Sequence, residues 1–439
     1  SREQVAEAVN AARTSFADHP LTPYERYDIL HRAAAGVEAQ RAALLRTIVT
    51  ETGFTVTDAG GEVDRCIQTL LASGEEAKRV HGEMVPLDGA PGQTHRLAYT
   101  IRVPRGVVAA ITPFNSPLNT VAHKVAPALA AGNTVLLKPA SVTPLTASAL
   151  CDILIAAGLP AAHLNLVLGS GREVGQWLTE EAGIDFYTFT GSTAVGRQIY
   201  QSIGLRRSSL ELGSISSTIV CSDADLTWAV PRCISASFRK AGQVCTSVQR
   251  LYVQRAITAS FTAQLVERTR AAKVGDPFDP ATLVGPMISE PEAARAQRWI
   301  EEAVAAGATL ECGGVRDGPL LQPSILSHVR PDMRVMCEEI FAPVISIVPF
   351  DSLDEAIDGV NATPYGLAAG VFTSDINRAI KASRRLVVGA VHINETSSSR
   401  VDVMPYGGVK DSGFGREGPR YAIQEMTEER LVTISRTEW

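Results

Sequence analysis

The stretch "TVAHKVAPALAAGNTVLLKPA", residues 120–140, decides the fold class of this chain. Its first part is rich in small apolar residues and predicts a helix that ends at Gly132. Its second part, "NTVLLKPA", predicts a buried strand at 134–138. A helix that leads directly into a buried strand is typical of an α/β protein with a parallel sheet.

The alternation of strands and helices continues on both sides of this stretch. Helical periodicity dominates residues 2–81 and is followed by extended structure in "RLAYTIRVPRGVVAAITPF". Further strands are predicted near 107–112, 164–168 and 184–189, each separated from the next by a helix. This pattern predicts a doubly wound parallel sheet.

A second alternating section starts near residue 217 and predicts a second α/β domain. Its strands are "STIVCS", "RLYVQ", "VISIVPF", "LAAGVFT" and "GAVHIN", and its helices lie near 225–241, 257–272, 290–307 and 376–386. The tail "ERLVTISRTEW" alternates like an edge strand and, with "RLAYTIRV", offers edges for pairing with another subunit.

Composition excludes several classes of protein. A chain of 439 residues predicts two or three domains, and a net charge of −6 argues against nucleic-acid binding. We find no run of 18 apolar residues, so no membrane span is expected. The seven dispersed cysteines predict a cytoplasmic protein with reduced thiols and no metal site. The chain starts with Ser1 and not with Met, so it is consistent with a longer protein.

Three segments carry candidate catalytic groups. Cys245 follows a Gly-Gln step in "SFRKAGQVCTS", where its neighbours fit either a nucleophile or a core thiol. Asn115 in "TPFNSP" is either an oxyanion donor or the cap of its own turn. Glu211 in "SLELGS" is either a base with a raised pKa or an ion-pair partner.

Two glycine-containing turns are candidates for phosphate binding. "GSGREVG", residues 169–175, and "FTGSTAVG", residues 189–196, each lie between a strand and a helix. The first turn is one residue longer than the common dinucleotide fingerprint, so a simple helix-entry turn is the alternative. Two such turns on one sheet favour a bound nucleotide.

Together these motifs resemble the NAD(P)-dependent aldehyde dehydrogenase superfamily. They occur in the order of that family: "PFNSP", "LLKPA", "GSGREVG", "FTGSTAVG", "LELGS", "GQVC", "CEEIFAP" and "PYGGVKDSGFGREG". The resemblance implies a Rossmann-type NAD(P)-binding domain, an α/β catalytic domain and a small β oligomerisation element of a homodimer or homotetramer. The implied bounds are 1–81 with 105–213, then 214–426, and 82–104 with 427–439.

The resemblance also implies roles for individual residues. Cys245 would attack the aldehyde, the Asn115 side chain and the Cys245 backbone N–H would hold the oxyanion, and Glu211 would activate water to hydrolyse the thioester. The presence of Glu211 argues against transfer to coenzyme A. NAD or NADP would contact Lys138, Ser141, Gly171, Ser192, Glu339, Phe341 and Phe114. Lys124 would lie near the site or serve as an ion-pair partner.

Departures from the family pattern bear on the substrate. Arg400, three serines and Arg239 predict binding of an anionic tail, with salt bridges or core-edge hydrogen bonds as the alternative. His123 on a polar helix and Thr246 are further candidate substrate contacts. We expect a short aldehyde with an anionic or polar tail, with a phosphonate such as phosphonoacetaldehyde or phosphonoformaldehyde favoured. The alternatives are lactaldehyde or a semialdehyde.

Other features leave the cofactor and the class of protein open. Ser141 stands where NAD-preferring relatives often have Glu, so we expect NADP to be tolerated. Ser214 replaces the family's glycine after "ELG". A non-catalytic structural relative and a plain cysteine hydrolase are the remaining alternatives.

Overall fold

The computed structural model describes residues 1–435, in which helices and strands alternate. The α-helices are α1 (Arg2–Asp18), α2 (Pro23–Ala39), α3 (Arg41–Thr52), α4 (Val56–Ala77), α5 (Asn119–Ala130), α6 (Pro144–Ala156), α7 (Gly171–Glu180), α8 (Thr193–Ser202), α9 (Leu226–Phe238), α10 (Arg255–Ala271), α11 (Glu290–Ala305), α12 (Arg334–Cys337), α13 (Leu353–Asn361), α14 (Ile376–Arg385) and α15 (Pro419–Glu425).

The strands of the described residues form three principal sheets and two short two-stranded sheets. They are β1 (Met84–Val85), β2 (Arg96–Pro104), β3 (Val107–Ile111), β4 (Thr134–Lys138), β5 (Leu164–Leu166), β6 (Phe186–Thr190), β7 (Arg207–Glu211), β8 (Ser217–Val220), β9 (Arg250–Gln254), β10 (Thr309–Cys312), β11 (Arg316–Asp317), β12 (Leu320–Leu321), β13 (Ser324–Ser327), β14 (Val344–Phe350), β15 (Tyr365–Gly366), β16 (Ala368–Phe372), β17 (Ala390–Ile393), β18 (Val409–Lys410), β19 (Gly413–Phe414) and β20 (Thr427–Ser435).

The first large sheet has the order β19-β7-β6-β3-β4-β5 and is parallel except for β19. Strand β3 is central, because the chain adds β4 and β5 on one side and β6 and β7 on the other. Such a reversal of strand order opens a crevice at the carboxyl ends of the strands, where ligands bind. The predicted doubly wound sheet is therefore confirmed.

The carboxyl ends of these strands carry residues predicted for the site. Strand β3 leads into the loop that holds Asn115, β4 ends at Lys138, and β7 ends at Glu211. Helix α5 follows the Asn115 loop and is buried along its whole length, between α4 and the sheet. Its alanines allow this close packing, and its polar side chains, among them His123 and Lys124, are buried with it.

The second large sheet has the order β10-β13-β14-β9-β8-β16-β17 and is parallel except for β10. The five strands predicted in this half of the chain all occur. Strand β19 and helix α15 lie within the predicted catalytic domain, residues 214–426, yet they pack on the first sheet and its core. The domain bounds stay a prediction.

The third sheet joins β1, β2 and β20 in antiparallel pairs. Leu97, Ile101, Leu431 and Ile434 expose apolar side chains on it. The tail strand extends to Ser435, and residues 436–439 of its prediction lie outside the described residues. Among the described residues, no helix is long and apolar enough to cross a membrane.

Candidate active site

The carboxyl end of the first sheet faces the segment 239–246 across a cavity of about 310 Å³. The cavity brings together groups that are far apart in the sequence. Of the predicted site residues, it is lined by Asn115, Glu211, Cys245, Phe114, Ser192, Glu339, Phe341, Arg239, Thr246 and Arg400.

Cys245 lies at the cavity wall with its thiol beside a tyrosine. Its Sγ is 2.9 Å from the Oη of Tyr406. Burial raises the pKa of Cys245 to about 11, while the Tyr406 hydrogen bond and the charge of Arg400 oppose the increase. Only the thiolate is strongly nucleophilic, so these two neighbours favour the reactive form.

A buried ion pair connects the Asn115 loop to the Cys245 segment. Lys240 donates from Nζ to Glu62 Oε2 at 2.7 Å and to the Asn115 carbonyl at 2.8 Å. Glu62 also accepts the backbone N–H groups of Leu118 and Asn119, where α5 begins. The negative carboxylate is favourable at this helix N-terminus. The Asn115 side chain itself donates to the Gln243 carbonyl at 2.9 Å.

The segment before Cys245 has an unusual backbone. Lys240 and Ala241 have φ values of 53° and 52°, and Gly242 has a φ of 70°. Two consecutive non-glycine residues with positive φ store strain, which persists only when surrounding contacts hold it. The ion pair of Lys240 and the close approach of Gly242 to the Ala342 backbone supply such contacts.

Glu211 is buried, and neither of its carboxylate oxygens has a hydrogen-bond partner in the structure. Burial and the negative charge of Glu417 hold the pKa of Glu211 well above its usual range, against the opposing charges of Lys124 and Arg400. A carboxylate with a raised pKa is suited to accept a proton near neutral pH.

Glu417 is the opposite case, because two cations hold it. Its carboxylate accepts from Lys124 Nζ at 2.9 Å and from Arg400 Nη2 at 2.9 Å. These charges hold the pKa of Glu417 below its usual range despite its burial. Lys124 is therefore an ion-pair partner, the alternative considered from its sequence.

A second carboxylate, Asp402, holds another group at the cavity edge. It accepts from Arg65 Nη2 at 2.7 Å, from Asn119 Nδ2 at 3.0 Å and from His123 Nε2 at 2.8 Å. His123 is 1% exposed, and it is not among the residues that line the cavity. The structure thus places His123 behind the wall, where Asp402 binds it, whereas Arg65 reaches the cavity.

Arg239 is the least compensated cation of the cavity. Its Nη2 donates to Ser398 Oγ at 2.7 Å, and it has no carboxylate at ion-pair distance among residues 1–435. Burial lowers the pKa of Arg239 from its ordinary value. Thr246 also contacts Ser398, with the two hydroxyl oxygens 3.2 Å apart. Ser398 therefore connects the serine-rich loop to Arg239 and Thr246, both of which line the cavity.

A larger cleft of about 860 Å³ continues from the cavity along the first sheet. Both spaces are lined by Pro113, Thr190 and Gly191. Lys138, Ser141 and Gly171, all predicted to contact a cofactor, line the cleft, as does Arg172.

The cleft fits a dinucleotide in shape and chemistry. Helix α8 begins directly after β6 with Ser192 as its N-cap, so its first N–H groups point to the junction of the two spaces. A Cβ added at Gly171 or Gly175 would meet no atom within 4 Å, which leaves room against α7. The Nζ of Lys138 donates only to the Pro139 carbonyl among the described residues and has capacity for a ligand.

The wall opposite α8 carries the other predicted cofactor residues. Glu339 accepts the Ser214 backbone N–H at 2.9 Å, and burial raises the pKa of Glu339 to about 7. Phe341 has a φ of 51°, and its ring meets that of Phe114 edge to face, with centroids 6.0 Å apart. The Ser214 hydroxyl turns away to Ser216, at 3.0 Å, so this departure from the family pattern leaves the Glu211 carboxylate free.

Sequence reasoning missed several residues of the site. They are Tyr406, Glu417, Asp402, Arg65, Glu62 and Lys240. Tyr406 and Glu417 belong to "PYGGVKDSGFGREG", which served only as a motif of resemblance. The available signal was that each of these segments contains a polar residue with no partner nearby in the sequence.

The model of the aldehyde dehydrogenase family matches residues 1–432. The chain therefore belongs to this family, and it is an NAD(P)-dependent enzyme. Among curated relatives, it is 48% identical over 435 residues to the 3-sulfolactaldehyde dehydrogenase of Priestia aryabhattai, covering 99% of this chain and 91% of the relative. It is 36% identical over 440 residues to the lactaldehyde dehydrogenase of Methanococcus aeolicus, covering 99% and 93%.

Solved structures show the same fold over nearly the whole chain. Aldehyde dehydrogenase 21 from Physcomitrella patens, in complex with the reaction product succinate, superposes with a TM-score of 0.97 at 35% identity, covering 100% of this chain and 92% of that one. Glyceraldehyde-3-phosphate dehydrogenase GapN from Methanocaldococcus jannaschii, complexed with NADP, gives 0.96 at 38% identity, covering 99% and 95%.

Proposed function

We propose that the chain oxidises a short aldehyde with an anionic tail to the carboxylic acid, with a sulfonate as the favoured tail. The observation that carries this proposal is Arg239, a half-buried cation that lines the cavity without a carboxylate partner among residues 1–435. Burying a charge without compensation is costly, so a bound anion would supply the missing partner.

The proposed chemistry uses the three convergent groups of the cavity. The Cys245 thiolate attacks the aldehyde carbon, and the Asn115 amide with the Cys245 N–H holds the resulting oxyanion. Bound NAD(P) supplies the hydride acceptor that oxidises this adduct to a thioester. Glu211 then removes a proton from the water that attacks the thioester, which releases the acid and frees Cys245. In these steps the thioester is hydrolysed to the acid and is not transferred to coenzyme A.

The tail would lie against the donors at the far side of Cys245. Arg239 and Thr246 line the cavity there with a guanidinium and a hydroxyl group, and the Ser398 hydroxyl contacts both. A tetrahedral sulfonate accepts several hydrogen bonds from such a set, as does a phosphonate. The relative named for 3-sulfolactaldehyde favours the sulfonate, and the relatives reported above do not support the phosphonate expected from the sequence. Lactaldehyde is the second candidate, since the hydroxyl groups also fit an uncharged polar tail.

A panel of aldehydes tests this proposal directly. We expect kcat/KM to be at least about a hundredfold higher for 3-sulfolactaldehyde than for propanal, since several charge-assisted hydrogen bonds are added. Phosphonoacetaldehyde, succinic semialdehyde and lactaldehyde separate tail charge from tail shape. Equal kcat/KM values for charged and uncharged tails would refute the anionic tail. Loss of all activity in Cys245→Ser checks that each rate belongs to the proposed site.

We also propose assembly into a homodimer or homotetramer through the antiparallel sheet of β1, β2 and β20. The exposed apolar residues of this sheet, including Leu431 and Ile434, support the assembly. A protein exposes such a surface where it binds a partner. Light scattering in solution measures the mass of the assembly.

A further inference from the structure

Tyr406 lines the cavity and contacts the thiol of Cys245 directly. Its Oη is 2.9 Å from Sγ of Cys245, although the two residues are 161 positions apart. The side chain is 9% exposed. Its backbone forms an antiparallel bridge with Glu417, whose N–H donates to the Tyr406 carbonyl at 2.7 Å. The Tyr406 backbone is therefore held by the same residue that binds Lys124 and Arg400.

The chemistry of the pair defines which atom donates. Burial and the neighbouring thiol hold the pKa of Tyr406 well above its usual range, so the phenol keeps its proton. A phenol O–H can donate to sulfur, and a donor to an ionised acceptor makes a stronger bond than a donor to a neutral one. The bond therefore favours the thiolate of Cys245 over the thiol.

Arg400 strengthens this arrangement from the other side of the ring. Its guanidinium carbon lies 3.7 Å from the centre of the Tyr406 ring, within the range of a cation–π contact. A positive charge over the ring draws electron density from the phenol and makes its O–H a better donor.

We propose that Tyr406 is a further catalytic residue, whose hydroxyl donates a hydrogen bond to the Cys245 thiolate and stabilises it for attack. No proton moves through Tyr406 in this role, since the phenol stays protonated throughout. The proposal deepens the proposed function, because it rests on Cys245 as the nucleophile. A phenylalanine at this position would keep the ring and lose only the donor.

Other ionisable groups also face Cys245, and each has a defined effect on the thiol. Arg400 favours the thiolate, whereas Glu211 from the end of β7 and Glu339 from the opposite wall disfavour it. Arg239 lies on the segment of Cys245 itself. The exchange of Tyr406 for Phe leaves all four groups unchanged, so a change in the titration of the thiol would report the missing hydroxyl.

The test is the rate of alkylation of Cys245 by iodoacetamide as a function of pH, in the full-length protein without substrate. Mass spectrometry of the Cys245 peptide follows the reaction. We expect Tyr406→Phe to move the midpoint to higher pH and to slow alkylation at neutral pH about tenfold, as expected for one hydrogen bond to an ionised group. Tyr200→Phe, which changes a 56% exposed tyrosine of α8, is the matched control with an unchanged midpoint.

Each outcome separates the two proposals. A Tyr406→Phe protein with the wild-type midpoint would overturn the role of Tyr406, even if its KM for the aldehyde changes, since the hydroxyl would then serve the substrate. The thermal midpoint of unfolding shows whether Tyr406→Phe is folded, which we expect because Phe keeps the packing of the ring. If Cys245→Ser retains dehydrogenase activity, the nucleophile itself is wrong, and the proposed function fails independently of Tyr406.

Discussion

The two sides of the cavity differ in how far their charged groups are paired with opposite charges. On the side formed by α4, α5 and the loop 394–408, each charged group has a partner: Arg65 with Asp402, and Lys124 and Arg400 with Glu417. On the side formed by the end of β7 and the segment 239–246, Lys240 pairs with Glu62 of α4, but Glu211 and Arg239 have no opposite charge at ion-pair distance among residues 1–435. The carboxylates of both sides, Glu211, Asp402 and Glu417, are buried, so solvent does not account for the difference between them.

The difference indicates which groups stabilise the fold and which are available to bind a ligand or a proton. A paired buried charge gains less from a substrate than an unpaired one, and removal of its partner costs roughly 3–5 kcal/mol. An unpaired buried group keeps its full capacity for a new contact, at the expense of the stability of the empty protein. Strain and unsatisfied polar groups are expected to concentrate at functional positions in this way.

The largest effect is expected from Glu211→Gln, which removes the unpaired carboxylate and keeps its shape. Loss of a positioned base lowers a rate by about 10²–10⁴-fold. We expect hydrolysis of the thioester to slow by this factor while a burst of NAD(P)H from the first turnover persists. Rapid-mixing kinetics with absorbance detection separate the two phases.

The pH dependence of the hydrolysis rate provides a second test of Glu211. Because the pKa of Glu211 is raised well above 4.5, the wild-type hydrolysis rate should fall as the pH is lowered through that raised value. In Glu211→Gln this acidic limb should vanish. A variant that keeps both the limb and the rate would show that the unpaired carboxylate is not the base.

A smaller effect is expected from Arg239→Gln. Loss of a charged donor to an anionic tail costs about 1.5–3 kcal/mol, or about a 10- to 150-fold increase in KM. Propanal, which has no tail charge, should be affected little. Arg65→Gln is the matched control from the paired side, and we expect a smaller increase in KM because Asp402 already neutralises this cation. If Arg65→Gln raises KM more than Arg239→Gln does, the absence of an ion-pair partner does not identify the cation that binds the tail.

The sequence predicted the unpaired side better than the paired one. Cys245, Asn115 and Glu211 lie in short motifs at strand ends or loops, where residue type and periodicity carry the signal. The partners on the other side lie far apart in the chain: 337 residues between Arg65 and Asp402, and 293 between Lys124 and Glu417. Local patterns contain no record of such pairs, since only the folded chain brings them together.

His123 shows why a polar residue on a helix is ambiguous. The polar residues of α5 predicted a helix with one face toward the substrate, and Asn119 and Thr120 line the cavity, whereas His123 does not. Asp402, from a loop 279 positions away, binds Nε2 of the His123 ring inside the protein. Tyr406 is the complementary case, because it appeared in the sequence as part of a motif and its contact with Cys245 depends on the fold.

The smallest expected effect concerns the cofactor cleft, where the charges near the bound cofactor can be compared in the same way. Ser141 is exposed and donates to the Gly169 carbonyl at 2.9 Å, and Arg172 lines the same cleft. We propose that this pair of residues tolerates the 2′-phosphate of NADP, since neither residue carries a negative charge.

Ser141→Glu should introduce the repulsion that is missing. In this solvent-exposed cleft the added carboxylate should lower kcat/KM for NADP about tenfold and leave NAD little changed, since screening weakens the interaction. Ser141→Gln controls for the size of the new side chain. Steady-state rates with both cofactors at two ionic strengths measure the effect, which should shrink as salt is added because it is electrostatic. Equal losses for NAD and NADP would show that the residue acts through shape and not through charge.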